Sequence, residues 1–400
     1  MPTSCVERGF RVQIGTGPTI GSLPFSDAEY RRRLMALRHE MAANDLDIFL
    51  TFSPENIFYL TGHDTPAYQY LQCCVVTHGE DPINVLRSID ASNTLKNSWS
   101  RRAVVYADND DPVSAVIAAL TSTGSKSATI GIEDQGFFVT PKRHSELVNK
   151  LQNLGNRVVA QHLVERLRLV KSREEMAHIR AAASITDQAM TAAIDCAREG
   201  LNENDIAART WETLVKLGGE FPGLPPFIVS GPRTSLGHAT WAGRTLRKGD
   251  PLAFEIPGVV HRYVAPLFRC GSVGAPSEEM RRIEAACISS LELLIENMKP
   301  GARIHDLHRM SVDNFARRGF AVGHRSGYSV GVNYAPDWGE GSELSIMTGE
   351  NRELEAGMVF HLVPGIYVED KCVVVISDTV AVREAGCERL TSIPRELFVA

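Results

Sequence analysis

Three short stretches hold most of the side chains in this sequence that could do chemistry. The first carries His238, directly after Leu236 and Gly237. The second runs from Glu255 to Tyr263 and includes Arg262, and the third runs from Tyr328 to His361 and includes Asp337, Trp338 and Glu340. An imidazole titrates at about pH 6.5 when unperturbed, so His238 suits proton transfer near neutrality, and Gly237 leaves backbone room for a ligand beside it. The same residue also suits a hydrogen bond in a pocket wall. Glu255 sits inside the apolar run PLAFEI, where a carboxylate must lose water or find partners. An ion pair with Arg262 or Arg269 is its structural reading, and work on a substrate is its catalytic one. Asp337 and Glu340 offer negative charge to a cationic amidine or guanidine, and Trp338 or Tyr263 offers it a ring face. His361, ahead of an apolar run, reads equally as a pocket residue or as a satisfied core histidine.

These residues need a scaffold, and the chain is long enough for two domains. Ser26 ahead of Tyr30, Leu34, Leu37 and Met41 marks a capped helix. Apolar runs at 47–52, 73–76, 83–87, 103–106 and 128–132 then alternate with helical segments at 112–123 and 141–153, which describes an α/β domain over residues 1–165. Residues 166–400 form the second domain. It shows an internal echo: helices at 173–198 and 203–217 precede a glycine-containing, strand-like stretch with His238, and helices at 277–298 and 303–318 precede another with Tyr328. Two such units imply an α+β domain of two pseudo-symmetric helix-helix-strand repeats with a site between them.

Composition removes several function classes. The formal charge of -6 leaves no basic face for a phosphate backbone, so nucleic acid is not an expected partner. No run approaches the roughly 20 apolar residues that span a bilayer, and Met1 to Pro24 lacks the order of a secretory signal, so no membrane and a cytoplasmic location are expected. The eight cysteines show no C-x-x-C spacing and read as reduced and mostly buried, with a nucleophilic Cys270 as the alternative.

The phrases LRKGDPLAFEIPGVVHRYVAPLFRC, GYSVGVNYAPDWGE and LEAGMVFHLVPGIYVED, with NIFYLTG near the N-terminus, resemble the creatinase, prolidase and aminopeptidase P family, most closely its ectoine hydrolase and creatinase branches. The resemblance implies a pita-bread fold for the second domain. It also implies, in metal-dependent members, two Asp, one His and two Glu around a pair of divalent cations. The matching positions here read Glu255, Pro266, Tyr328, Val363 and Ser377, so no metal and no other cofactor is expected. The match of His238 in creatinase transfers protons. The match of Glu255 in the ectoine hydrolase branch implies attack on an amidine carbon, or activation of the attacking water, and the sequence leaves both open. The segment HDTPAYQYLQCC matches a loop that creatinase-like homodimers place in the neighbouring subunit's site, which makes Tyr68 and Tyr70 substrate-contacting candidates across a dimer. Creatinase has an arginine where Tyr70 stands, and the ectoine hydrolase branch has a histidine where Val264 stands, so neither substrate is matched in full.

The expectation is therefore a metal-independent hydrolase of a carbon–nitrogen bond in a small zwitterionic or cationic compound, ectoine hydrolase-like or creatinase-like. His238 and Glu255 would be catalytic. Tyr68, Tyr70, Arg262, Tyr263, Tyr328, Asp337, Trp338, Glu340 and His361 would bind substrate. Two alternatives stay open: another C–N or C–S cleaving, biosynthetic or lyase reaction on the same scaffold, or a binding protein without turnover.

Overall fold

Capping residues set where the helices of this chain begin, and alternating apolar residues set which strand faces are buried. The structure, a computed structural model, describes residues 9–125 and 127–400, which places Cys5 outside the described residues. Contacts divide it between Leu167 and Arg168. The first unit contains β1 (Val12–Ile14), α1 (Asp27–Ala43), β2 (Ile48–Thr51), α2 (Pro54–Thr61), β3 (Cys73–Thr77), β4 (Ile83–Arg87), α3 (Ala91–Asn97) and β5 (Arg102–Tyr106). Then come α4 (Pro112–Ser122), β6 (Thr129–Ile132), α5 (Pro141–Asn153), β7 (Arg157–Ala160) and α6 (Leu163–Leu169), which carries the chain across the division. The strands form one mixed sheet ordered β1-β5-β4-β3-β2-β6-β7. Ser26 caps α1 by accepting the Glu29 amide, and Tyr30, Leu34, Leu37 and Met41 are all buried, as their spacing requires. Strands β1 and β7 escaped the sequence reading because they are edge strands of three and four residues.

The second unit repeats a helix pair and a sheet. The first half has α7 (Arg173–Cys196), α8 (Glu203–Lys216), β8 (Phe227–Ser230), β9 (Pro251–Val260) and β10 (Tyr263–Ser272). The second has α9 (Glu278–Asn297), α10 (Ile304–Arg317), β11 (Gly327–Ser329), β12 (Ser345–Ile346), β13 (Val359–Leu362), β14 (Gly365–Val368), β15 (Cys372–Val375), β16 (Asp378–Arg383) and β17 (Gly386–Arg389), and β18 (Phe398–Val399) returns to the first sheet. The sheets are ordered β18-β10-β9-β8 and β12-β11-β13-β16-β17, with β14-β15 a separate hairpin. Reciprocal capping boxes, Ser172 with Glu175 and Asn202 with Asp205, start the first helix pair. The stretch around His238, expected to be strand-like, is instead a short 3-10 turn (Gly231–Ser235) and an open loop. Among the described residues no helix is long and apolar enough to cross a membrane.

The β9-β10 hairpin is the frame of the first half. Its two turn residues, His261 and Arg262, have φ of 46° and 65°, the left-handed pair that a two-residue hairpin turn demands. Helix α7 lies directly on the hairpin at Gly258, where an added Cβ would stand 2.4 Å from Thr186 Oγ1 and 2.5 Å from the Ala182 carbonyl. Thr186 Oγ1 accepts the Gly258 amide (2.8 Å) and donates to the Ala265 carbonyl (2.7 Å), joining helix and hairpin. Gly258→Ala is expected to lower unfolding stability by roughly 1–3 kcal/mol through overpacking, measured by urea denaturation, and a wild-type midpoint would show that the helix can retreat.

Candidate active site

Strand alternation delivers Glu255. Along β9, Leu252, Phe254 and Ile256 join the apolar core beneath the first helix pair, while Ala253 and Glu255 turn to the other face and line a cavity of about 590 Å³. Cross-strand pairing puts Phe227 opposite Glu255 on one side and Phe268 opposite it on the other, and both rings line the same cavity. The carboxylate is therefore walled by phenyl rings. No hydrogen bond reaches it among the described residues, and the neutral His361 ring stands with Nδ1 at 3.9 Å. Burial pushes its pKa up to about 8; the Arg325 guanidinium opposes that shift and the Asp337 carboxylate adds to it. The ion pair with Arg262 or Arg269 is not formed. Arg262 instead donates to the Asn333 and Phe221 carbonyls and stacks on Phe221 and Tyr334. Arg269 is held by Asp378 at 3.2 Å and by main-chain carbonyls.

His238 reaches the cavity from a loop tied down at both ends. The buried carboxylate of Glu203, in the first turn of α8, accepts the Ser230 amide (2.9 Å), the Ser230 hydroxyl (2.6 Å), an Arg233 N–H (2.9 Å) and the Ala242 amide (2.9 Å). Between these ties His238 adopts a left-handed φ of 58° and sets its exposed ring 5.7 Å from that of Phe227, which in turn lies 5.0 Å from Trp338. A Cβ on Gly237 would meet nothing within 4 Å, so the backbone beside His238 is open as its sequence suggested.

The other half of the site is a chain of hydrogen bonds. Trp338 Nε1 is only a donor, so it donates to Tyr328 OH (2.9 Å), and the phenol is hydrogen-bonded to His361 Nδ1 (2.9 Å). His361 Nε2 is hydrogen-bonded to Ser377 Oγ (2.7 Å), which accepts the Phe268 amide (2.7 Å). The imidazole is neutral in either tautomer. Burial lowers its pKa to about 3, and Arg325 and Arg269 add to the effect. Burial likewise raises the Tyr328 phenol.

Five of the expected site residues, His238, Glu255, Tyr328, Asp337 and Trp338, line the one cavity. Four do not. His361 stands behind Tyr328 as a support. Arg262 is caged at the hairpin tip. Tyr263 donates to Glu175 (2.8 Å), and Glu340 is buried against Lys171 (2.6 Å) and Arg168 (3.2 Å). These groups are engaged in internal polar contacts. Tyr68 and Tyr70 belong to the first unit, Tyr68 edge-on to Phe138 and Tyr70 beneath the Arg87 guanidinium at 3.6 Å. Cys270 is no nucleophile: it is fully buried, takes the Val375 amide, and burial raises its thiol to about 12. Arg325, Phe227 and Tyr367 line the cavity without having been foreseen.

The sequence matches the metallopeptidase family M24 over residues 177–384 and the creatinase/prolidase N-terminal domain over residues 33–170. The chain belongs to the M24 family. An ectoine hydrolase of Halomonas elongata is 30% identical over 397 residues, covering 94% of this chain and 99% of the relative. A Xaa-Pro dipeptidase of Pyrococcus furiosus is 26% identical over 371 residues, covering 92% and 100%. Among solved structures, a prolidase from Thermococcus sibiricus superposes with a TM-score of 0.81 at 21% identity, covering 94% of this chain and 100% of that one, and shares its fold. The dipeptidase PepE of Mycobacterium ulcerans gives 0.79 at 26% identity, covering 94% and 99%.

An M24 chain raises the question of a metal pair, and the donor set here does not fit one. Val363 and Pro266 offer no side-chain ligand. Ser377 and Tyr328 are committed to His361, and Glu255 is a carboxylate that burial holds toward its neutral form. Among the described residues no three His, Cys, Asp or Glu gather as a ligand group.

Glu255 also leaves a thermodynamic signature. Its folded pKa of about 8 lies above the ordinary 4.5, so the folded state holds a proton that the unfolded state releases. Stability is therefore fully present below 4.5 and is lost as pH rises toward 8. Wild-type stability minus that of Glu255→Gln is expected to fall with pH across this window, with a slope approaching about 1.4 kcal/mol per unit, in denaturation series run from pH 5 to 9. Parallel curves would mean the carboxylate is solvated.

Proposed function

We propose that this M24 chain is a metal-independent hydrolase of a carbon–nitrogen bond in a small zwitterionic amidine, with ectoine as the first candidate. The observation that carries this reading is the carboxylate of Glu255, unpaired and walled by Phe227 and Phe268 on a cavity whose metal-ligand positions have become Val363, Tyr328 and Ser377. The Halomonas relative named ectoine hydrolase supports the substrate class.

A cavity of about 590 Å³ suits a small molecule and is tight for a long peptide. Asp337, Trp338 and Phe227 offer an amidinium ion a carboxylate and two ring faces. A cation arriving there pulls Glu255 back toward its ionised form. The ionised oxygen then either adds to the amidine carbon or takes a proton from the water that adds. In both versions the tetrahedral carbon collapses by breaking its bond to one ring nitrogen. That nitrogen takes a proton, which His238 delivers in this reading. Water supplies the oxygen of the resulting amide, directly or by release of the Glu255 adduct.

The test is turnover of ectoine, creatine and proline dipeptides with and without chelator. Ectoine is expected to be hydrolysed equally in both. His238→Ala should lower kcat by roughly a hundredfold or more with a small effect on KM, Glu255→Gln should abolish turnover, and kcat/KM should rise with pH through about 8 as Glu255 ionises. Dipeptide cleavage that a chelator stops, or full activity in both variants, overturns the reading.

The working enzyme in this reading is a homodimer in which Tyr68 or Tyr70 enters the partner's cavity. Support comes from the match of their loop to a subunit-crossing loop and from Tyr70 being 41% exposed. Sedimentation should give a dimer, activity should fall on dilution through its dissociation range, and Tyr70→Ala should reduce kcat/KM at least tenfold, by roughly the weight of one lost aromatic contact. A fully active monomer sinks the idea.

A further inference from the structure

The cavity wall holds a guanidinium with no ion-pair contact among the described residues. Arg325, two residues before β11, gives one Nη1 hydrogen to Ser345 Oγ at 3.0 Å and lays its guanidinium 4.2 Å over the ring of Tyr328. Nε and Nη2 form its other edge and have no acceptor among the described residues, and no carboxylate pairs with the group. Other arginines of the second unit contrast with it. Arg168 has Glu340, Arg244 has Asp250 and Arg269 has Asp378, while Arg262 is wrapped by carbonyls and rings. A half-buried guanidinium clamped by stacking and by one hydrogen bond, with a donor edge left over beside an aromatic cavity, is built to receive a planar anion.

The geometry points to Arg325 as the residue that fixes the carboxylate of the substrate, so that the cavity takes a zwitterion with its anionic end on Arg325 and its cationic end among Asp337, Trp338 and Glu255. This rests on the small-zwitterion reading above and adds the residue that selects and orients. Two physical points favour it. Glu255 is largely neutral at pH 7, so an entering carboxylate meets little repulsion from it. The Tyr328 phenol, bonded to Trp338 and His361 and held neutral by burial, adds no charge to repel that carboxylate, and Arg325 is the cation on that side. The remaining Arg325 N–H groups form a fork that matches two carboxylate oxygens.

Binding of two probes separates the inference from the reading beneath it. The probes are ectoine and 2-methyl-1,4,5,6-tetrahydropyrimidine, the same cyclic amidine without the carboxylate. Calorimetry is run in a Glu255→Gln background, which blocks turnover, with Arg325 intact, Arg325→Gln or Arg325→Lys. With Arg325 intact, ectoine is expected to bind roughly tenfold to a hundredfold more tightly than the bare ring, the weight of a charged, bidentate contact. Arg325→Gln should remove that preference while leaving affinity for the bare ring in place, which also shows that the variant is folded, and Arg325→Lys should restore part of it. An unchanged preference in Arg325→Gln, or none with Arg325 intact, overturns the inference and leaves the amidine reading standing. If neither ring binds, the amidine reading falls. The inference is then decided with glycine betaine as the probe: loss of its binding in Arg325→Gln supports it, and equal binding or none at all overturns it.

Discussion

The chemistry of this site depends on how little water and how little positive charge reach one carboxylate. Glu255 owes that state to sheet geometry: β9 pairs with β8 and β10 in a register that puts Phe227 and Phe268 on either side of it. The same strand sends Phe254 and Ile256 into the core, so a slip of one residue would bury the carboxylate among aliphatic side chains and turn a phenyl ring into the cavity. Register is therefore held hard. The left-handed turn at His261 and Arg262 fixes the hairpin, Arg262 is locked to the Asn333 and Phe221 carbonyls, and α7 is pinned at Gly258 through Thr186. Residues that look like site residues by chemistry turn out to hold the site in place.

On the facing side, positions that the M24 resemblance would give to metal ligands have been absorbed into a closed polar circuit. Trp338, Tyr328, His361, Ser377 and the Phe268 main chain are joined by successive hydrogen bonds, and each buried group finds a partner without a net charge. Such a circuit holds its members in place because losing any one would leave a buried polar group without its partner. Outside the circuit, the cavity is also lined by Glu255 and by His238, which has an exposed ring and a loop anchored through Glu203.

Much of this was legible in the sequence, for reasons that also show where legibility ends. The longer helices of both units were readable from apolar spacing, with Ser26 as a cap, while α2, α3 and α6 were not, and the tandem repeat predicted a site between two halves. His238, Glu255, Tyr328, Asp337 and Trp338 could be named because their chemistry is uncommon in apolar or glycine-rich runs. What the sequence could not show is which partner a polar side chain finds at long range. Glu340 looks like a cation-binding carboxylate until Lys171, 169 positions away, is seen against it. Phe227 and Arg325 were missed for the mirror-image reason: an ordinary residue becomes part of a site only when the strand register or a neighbouring loop places it there.

The arrangement also explains why an unpaired buried carboxylate can persist in a stable protein. A permanent arginine or lysine beside Glu255 would relieve the desolvation penalty, but it would hold the carboxylate ionised, occupied and repelled from an incoming cation. With Arg325 the one charge that opposes the shift, the group rests near its neutral form, and in the proposed reaction a cationic centre recharges it on entry. Reactivity in that proposal is coupled to occupancy: the free site is slow to attack solvent species, and the filled site holds an oxygen nucleophile or base in a pocket with little water to compete. The cost is carried by the rest of the second unit, whose two apolar clusters flank the sheets on either side of the cavity and keep the strands from relaxing toward solvent.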